Sequence, residues 1–115
     1  MSYILLITIH ADPAMPPGYN EWGGTHTYMR ELLDCFGLLH LNCILVTRKA
    51  MKELPDIEQY NSCCTIYRLK NGNSAPIDKT ILYKYHDYNF SAIQQIIEDR
   101  GELPQVIHSV YWNSG

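Results

Sequence analysis

The chain opens with a continuous apolar run, residues 3–9, that is rich in isoleucine and leucine. Runs of this length without polar alternation are typical of strands that helices cover on both faces. The run is too short to cross a bilayer, which takes about 20 apolar residues. It also lacks a basic leader and continues directly into His10 and Asp12, unlike a signal peptide. It therefore predicts a buried strand.

A helix is expected to begin near Thr25, because apolar residues recur there at helical spacing and would share one face. The residues of that face are Tyr28, Leu32, Leu33, Phe36 and Leu39. A second helix is expected to begin at Ser91, a residue suited to capping a helix, and to end at Gly101. Both helices are flanked by apolar runs, which places each of them between strands.

Further strands are expected at residues 44–47, 65–69 and 106–110, where apolar and β-branched residues are concentrated. The resulting order is strand, helix, strand, strand, helix, strand. This order predicts an α/β fold with a Rossmann-like, doubly wound and mostly parallel sheet.

Composition places the chain among small folded domains. It has 115 residues, of which 46% are hydrophobic and 18% charged. That is enough for one apolar core but too short for two domains. The net charge is -3 and the nine basic residues are scattered, whereas a nucleic-acid binder needs a concentrated basic face. We therefore expect one domain, residues 1–115, with no nucleic-acid partner and no transmembrane segment.

The four cysteines do not have the spacing of a metal site. Cys63 and Cys64 are adjacent, Cys35 and Cys43 are isolated, and no C-x-x-C pair suited to tetrahedral zinc occurs. Without a secretion signal, the expectation is reduced thiols, no bound metal and a cytoplasmic protein.

The connection between the first strand and the first helix, residues 10–24, carries the main chemical signal. It is rich in proline and glycine and ends on Gly23 and Gly24, where the helix is expected to begin. Glycine lets backbone N–H groups approach an anion closely, and the helix dipole favours a diphosphate there. Neither G-x-G-x-x-G nor the P-loop pattern is present. Taken alone, the Gly-Gly pair fits a tight turn equally well.

Two separated blocks of sequence give this loop a more specific interpretation. The first block comprises residues 9–13, 17–18, 21–24, 28 and 31–32, and the second comprises residues 104–115. Together, and in this order, they resemble family 4 glycosyltransferases, in the branch of sucrose-phosphate synthases and mycothiol-type glycosyltransferases. The resemblance covers essentially the whole chain.

The resemblance implies the amino-terminal, acceptor-side domain of a GT-B enzyme, in which two Rossmann-like domains face each other across a cleft. Such enzymes transfer a sugar from a nucleotide sugar to an acceptor with retention at the anomeric carbon. The nucleotide sugar is a co-substrate, and no cofactor or metal is expected. The missing carboxy-terminal domain would hold most of the donor.

Carried over residue by residue, the resemblance assigns candidate roles. Gly23, Gly24 and Thr25 form the loop for the donor diphosphate. His108 is the candidate catalytic residue. The acceptor side of the cleft would be lined by His10, Tyr111 and Trp112, although Tyr111 and Trp112 would equally well cover an apolar core.

Two positions depart from the family pattern. Val110 stands where a second histidine is usual, close to the donor sugar in the family, and Gln105 replaces an aspartate. The valine removes a hydrogen bond, so the resemblance implies altered donor preference or weakened activity.

The end of the chain, directly after the last expected strand, leaves that strand without a covering helix. We therefore expect an incomplete domain that transfers no sugar alone and that self-associates or is marginally stable. The main alternative is a non-catalytic α/β interaction module that assembles with another chain. An unrelated nucleotide-binding domain is disfavoured because no phosphate motif with a lysine is present.

Overall fold

The computed structural model describes residues 2–9, 12–14, 24–70 and 85–110; for residues 24–26 it describes the backbone alone. Within these ranges the chain forms one five-stranded sheet and two helices. The elements in chain order are β1 (Ile4–Ile7), α1 (Gly24–Leu38), β2 (Cys43–Arg48), β3 (Ile57–Gln59), β4 (Cys64–Leu69), α2 (His86–Arg100) and β5 (Val106–Ser109).

The sheet has the strand order β3-β4-β2-β1-β5, with β1 at its centre between β2 and β5. All pairings are parallel except that of β3 with β4, and Leu6 lies in register with Leu45 on one side and with His108 on the other. The predicted α/β fold with a mostly parallel sheet is confirmed. Because the parallel strands run the same way, their carboxyl ends meet at one edge.

Helices cover the sheet on opposite faces, as a doubly wound fold requires. The α1 face holds a buried cluster of Leu6, Met29, Leu33, Cys43, Leu45, Cys64 and Ile66. The α2 face holds a second buried cluster of Tyr3, Leu5, Ile9, Ile44, Val46 and Leu69, against which Ile93, Ile96 and Ile97 of α2 pack. Full burial of one such aliphatic side chain contributes about 1.5–3 kcal/mol, so the two clusters are the main source of stability.

Helix α1 begins at Gly24, close to the predicted start, but its inward face differs from the prediction. Met29 and Leu33 are fully buried, whereas Tyr28 is 46% exposed and Leu39 is 66% exposed. The helix ends at Leu38, so Leu39 already lies in the following turn. The buried stripe is therefore centred on Met29 and Leu33, and the assignment of Tyr28 and Leu39 to it was wrong.

Helix α2 begins earlier than predicted. Its first residue is His86, and Tyr85 precedes it without a side-chain capping hydrogen bond, so Ser91 lies inside the helix and does not cap it. The predicted end is confirmed. Gly101 adopts a left-handed conformation with φ of 82°, and its N–H donates to the carbonyls of Ile97 and Glu98.

Strand β3 is absent from the sequence-based prediction. It is only three residues long and pairs antiparallel at the sheet edge, where its side chains are exposed or half-buried. Such a short edge strand has no apolar run to reveal it. It places residues 55–58 beside the end of β4, which matters for the site described next.

Candidate functional site

The carboxyl edge of the sheet is the natural place for a ligand in an open α/β fold. Helix α1 begins at this edge with Gly24 and Thr25 as its first residues. The first backbone N–H groups of a helix have no partner within the helix and carry a partial positive charge, which favours an anion. Of the predicted diphosphate loop, Gly24 and Thr25 are therefore the first two residues of α1, at the carboxyl edge of the sheet. Gly23 lies outside the described residues.

His108 lies inside the sheet, as the third residue of β5 and in register with Leu6 of β1. Parallel partners share a face of the sheet, so His108 lies on the α1 face, and it is exposed. The predicted catalytic residue and the start of α1 are thus on the same side of the sheet. His10, Tyr111 and Trp112 lie outside the described residues.

Val110, which stands where the family pattern has a histidine, continues the line of β5. Its N–H donates to the carbonyl of Ile7 at 2.9 Å, and its side chain packs against the buried cluster of the α1 face. The valine therefore extends the apolar core toward the carboxyl edge at this position. A polar group there would have to be hydrogen-bonded or exposed to avoid a desolvation penalty.

Hydrogen bonds from the end of β2 hold the residues that follow β1. The carbonyl of Ile9 accepts from the Thr47 hydroxyl at 3.4 Å and from the Arg48 N–H at 3.3 Å. The Thr8 hydroxyl is fully buried and has no hydrogen-bond partner within the described part of the chain.

Asp12, which lies five residues after the end of β1, forms a buried ion pair with Arg68. Arg68 Nε lies 2.6 Å from Asp12 Oδ2, and Arg68 Nη2 donates to Asp12 Oδ1 at 3.3 Å. The Arg68 side chain is fully buried, and that of Asp12 is 2% exposed. The same guanidinium reaches Glu58 Oε1 and the carbonyl of Pro55, both at 2.9 Å from Nη1. Arg68 therefore joins the exit from β1 to the segment that carries β3.

The groups around Arg68 stabilise the charged form of its guanidinium. Burial acts to lower the pKa of the guanidinium, but the hydrogen bonds and charges of Asp12 and Glu58 outweigh burial and raise it. Arg48, at the end of β2 on the α2 face, shows the opposite result, since burial lowers its pKa despite the nearby Tyr85. Both cations are buried at the same edge of the sheet, where Asp12 and Glu58 balance the charge of Arg68.

A more solvated cluster borders this pair. Lys49 Nζ lies 2.8 Å from Asp56 Oδ1, and Lys70 Nζ lies 3.2 Å from Asp56 Oδ2. Hydrogen bonds from Lys49 and then Lys70 hold the pKa of the Asp56 carboxyl below its usual value. Asp56 is 45% exposed at its side chain, so water screens this cluster far more than the Asp12–Arg68 pair.

Neither a metal cluster nor a membrane span emerges from the part of the chain that the structure describes. No three histidine, cysteine, aspartate or glutamate side chains converge there in a group that would hold a metal ion. None of its helices is long and apolar enough to cross a membrane.

Comparison with known proteins gives matches along nearly the whole chain. It is 27% identical over 116 residues to the D-inositol 3-phosphate glycosyltransferase of Pseudarthrobacter chlorophenolicus. It is 25% identical over 114 residues to the protein of the same name from Thermomonospora curvata. Sucrose-phosphate synthase from Thermosynechococcus elongatus superposes on 99% of the chain with a TM-score of 0.89 and 27% identity. The chain is a distant homologue of family 4 glycosyltransferases.

This family 4 homologue spans only a part of its relatives. It covers 27% and 26% of the two sequence relatives and 28% of the sucrose-phosphate synthase chain. No protein-family model matches it. The resemblance recognised in the two sequence blocks is confirmed at the level of the family, for about a quarter of the length of these relatives.

The sequence analysis of this family 4 homologue did not single out Arg68. It also did not predict that Asp12 is the partner of Arg68. One signal was present: Arg68 follows Cys64 and Ile66 at alternate positions of β4 and so falls on the buried α1 face. A charged residue at an inward position of a strand needs a buried partner. The sequence did not identify that partner, because Asp12 is 56 residues away.

Proposed function

We propose that this family 4 homologue supplies the acceptor-side domain of a retaining glycosyltransferase whose donor is a nucleotide sugar. One observation carries the proposal: α1 begins with the second glycine of the Gly-Gly pair, at the carboxyl edge of a mostly parallel sheet. An anionic donor group placed there would meet backbone N–H groups and the positive end of the helix dipole. The similarity to proteins named as glycosyltransferases supports this choice of ligand over other anions.

In the proposed mechanism, Gly23, Gly24 and Thr25 receive the donor diphosphate through backbone N–H groups. Negative charge grows on the diphosphate as the sugar leaves, so donors aimed at it stabilise the transition state more than the ground state. His108 acts from the α1 face of β5 as the catalytic residue. The acceptor side of the cleft is formed by His10, Tyr111 and Trp112.

We further propose that residues 1–115 are part of a larger amino-terminal domain. All four residues of β5 are exposed, and an apolar groove of about 760 Å³ lies between α2 and β5, lined in part by Phe90, Leu103 and Ile107. A further parallel strand beside β5, reached by a right-handed crossover, would place its helix on this same face. The exposed strand and the groove support this proposal, because such apolar surface is costly to leave in water.

The proposal is tested with the complete protein that contains this chain. The protein is incubated with a panel of nucleotide sugars, and release of the nucleoside diphosphate is measured. The anomeric configuration of any transferred sugar is then read by NMR. Turnover of at least one donor with retention supports the proposal. Inversion at the anomeric carbon, or no turnover of any nucleotide sugar, would contradict it.

The exposed β5 also favours a second candidate function, a non-catalytic module that pairs with another chain through this edge. The coding sequence beyond Gly115 distinguishes the two candidates. A continuation into a second α/β domain supports the enzyme, and a stop codon supports the module.

A further inference from the structure

Two free thiols lie next to each other at the amino edge of the sheet, away from the proposed ligand site. Cys43 is the first residue of β2 and Cys64 the first of β4, and the two are in-register partners in neighbouring parallel strands. Such partners project from the same face of the sheet, and both side chains belong to the buried cluster of the α1 face. The fold therefore places two cysteines that are distant in the sequence side by side.

The spacing of the two strands suits a disulfide. Neighbouring strands lie about 4.8 Å apart, and the Cα atoms of disulfide-linked cysteines lie roughly 4.4–6.8 Å apart. Because the two side chains project in the same direction, their Cβ atoms are also about one strand spacing apart, slightly more than a relaxed disulfide prefers. Closing that small gap strains the bond, and a strained disulfide is more easily reduced. The geometry thus fits a disulfide that forms and breaks reversibly.

Hydrogen bonds make one of the two thiols the better nucleophile. The Cys43 thiol donates to Cys64, and this bond, with a weaker effect from Asn61, holds the pKa of Cys64 below its ordinary value although burial acts to raise it. The hydrogen bond to Cys64 and burial raise the pKa of Cys43. The thiolate is the nucleophilic form of cysteine. Cys64 is therefore the thiol suited to attack an oxidant, and Cys43 is the neighbouring thiol that completes a disulfide.

The pair lies just below the surface of the protein. Cys43 is 2% exposed and Cys64 is 0% exposed. The residues directly before them in the chain, Asn42 and Cys63, are half-buried, and Ser62 is exposed. Local opening at such a place costs much less than global unfolding, and hydrogen peroxide is little larger than water. A small uncharged oxidant is therefore the class of reagent that suits this pair.

We infer that Cys43 and Cys64 form a reversible disulfide site that is oxidised by hydrogen peroxide. The Cys64 thiolate attacks one peroxide oxygen, the O–O bond breaks, and the hydroxide that leaves takes up a proton to become water. The Cys43 thiol then loses its proton, and its sulfur attacks the sulfur of the Cys64 sulfenic acid. The S–O bond breaks, the oxygen leaves as a second water, and the disulfide forms.

The overall reaction oxidises two thiols to one disulfide and reduces one hydrogen peroxide to two waters. A thiol reductant reverses it by thiol–disulfide exchange. The site lies at the opposite edge of the sheet from the start of α1, so it stands whether or not the proposed function holds.

Peptide mapping of the complete protein tests the site. The folded protein is treated with hydrogen peroxide, the remaining thiols are alkylated, and the tryptic peptides are analysed by mass spectrometry without reduction. Cleavage after lysine and arginine puts Cys43 in peptide 31–48 and Cys64 in peptide 53–68. We expect these two peptides to be linked, with a mass lower by two hydrogens than the sum of their free-thiol forms. Fragmentation is expected to assign the link to Cys43 and Cys64, and dithiothreitol to restore both thiols.

Four variants and the unfolded protein show whether the fold selects this pair. Cys43→Ala and Cys64→Ala are expected to lose the link between the two peptides. Cys35→Ser and Cys63→Ser are the matched controls, since each changes the other cysteine of one peptide, and both are expected to keep the link. In urea-unfolded protein the same treatment is expected to give a mixture of links that includes Cys35 and Cys63.

The map of the folded wild-type protein is decisive, including where an alanine variant does not fold. A link between Cys43 and Cys64 that dithiothreitol reverses supports the site. Free thiols at both positions after peroxide treatment, a link through Cys35 or Cys63 instead, or sulfinic acid at Cys64 without a link would overturn it. The same mixture of links from folded and unfolded protein would overturn it as well, because the sheet would then have no part in selecting the pair.

Discussion

At the scale of single residues, Asp12 carries a negative charge that is almost completely buried. Its carboxylate faces a fully buried guanidinium, and together they join segments that are 56 residues apart. Removing one partner of a buried pair is far more damaging than replacing both, because the remaining charge keeps its desolvation cost. Substitution of Asp12 is therefore expected to change the free energy of unfolding more than substitution of an exposed acidic residue.

We predict that Asp12→Asn lowers the free energy of unfolding of this chain by about 3 kcal/mol, the lower end of the cost of breaking a buried pair, since Arg68 keeps Glu58, which is 34% exposed, as its remaining counter-charge. Urea denaturation gives the value. Asp56→Asn is the control, and it should cost much less because the side chains of Asp56 and Lys70 are 45% and 60% exposed, so that water screens their charges. Equal losses in the two variants would show that burial of the pair contributes little.

A second prediction concerns Gly24 in the complete protein. Gly24→Val places a branched side chain where the diphosphate is proposed to meet the backbone, so turnover should fall about a hundred- to a thousandfold, or roughly 3–4 kcal/mol in the barrier. Thr27→Val is the control, because it puts the same side chain in the same first turn of α1. Near-normal turnover in a folded Gly24→Val protein would remove the diphosphate role from this loop.

At this scale the sequence predicted the position of α1 from the Gly-Gly pair to within one residue, because glycine and the apolar spacing after it are local signals. It did not predict the Asp12–Arg68 pair, because a pairing across 56 residues leaves no local pattern. The structure adds where His108 lies, on the α1 face of β5. Its catalytic role stays a prediction.

Among the elements, α2 shows how a helix end is fixed by one backbone conformation. Gly101 has φ of 82°, and its N–H satisfies two carbonyls of the last turn. A Cβ atom added to Gly101 would have no atom within 4 Å other than those of the two neighbouring residues in the chain. Any cost of adding a side chain there is therefore conformational and not steric.

We predict that Gly101→Ala destabilises the chain by about 1–2 kcal/mol, the usual cost of the left-handed conformation for an L-residue. Gly101→Asn should cost less, because asparagine adopts this conformation more readily. Thermal melting of the two variants beside the wild type provides the comparison. An alanine variant as stable as the wild type would mean that the helix end relaxes into another conformation.

The apolar pattern of the sequence predicted some of the strands and helices but not all of them. Strands β1, β2 and β4 were predicted because their buried runs are apolar and β-branched, and β5 because it repeats that pattern after Pro104. Strand β3 was missed, since an edge strand of three residues is stabilised by backbone pairing with β4 and not by an apolar run. The start of α2 was misplaced because the helix begins without a side-chain cap, so Ser91 was a misleading signal.

For the molecule as a whole, the exposed edge at β5 is the most consequential feature. Val106 is 51% exposed and Ile107 is 59% exposed, beside an apolar groove that continues onto α2. Open strand edges with apolar side chains invite pairing with another chain. The sequence-based expectation of self-association has its physical cause here, and it stays a prediction.

We predict that the isolated 115-residue chain self-associates and that Ile107→Lys shifts it toward the monomer, because a charge in the groove is costly to bury. Light scattering across a concentration series measures the molecular mass. Leu38→Lys is the control: Leu38 is 81% exposed at the end of α1 and does not line the groove. A wild-type chain that stays monomeric at every concentration would contradict the prediction.

Turnover of a nucleotide sugar by the isolated 115-residue chain, measured beside the complete protein, tests most directly whether this chain supplies one side of a catalytic cleft. Release of the nucleoside diphosphate is followed for both proteins with the same donors. We expect release by the complete protein and none by the chain alone, because the donor must be held from both sides of the cleft to reach the transition state. Release by the chain alone, or none by the complete protein, would contradict this account.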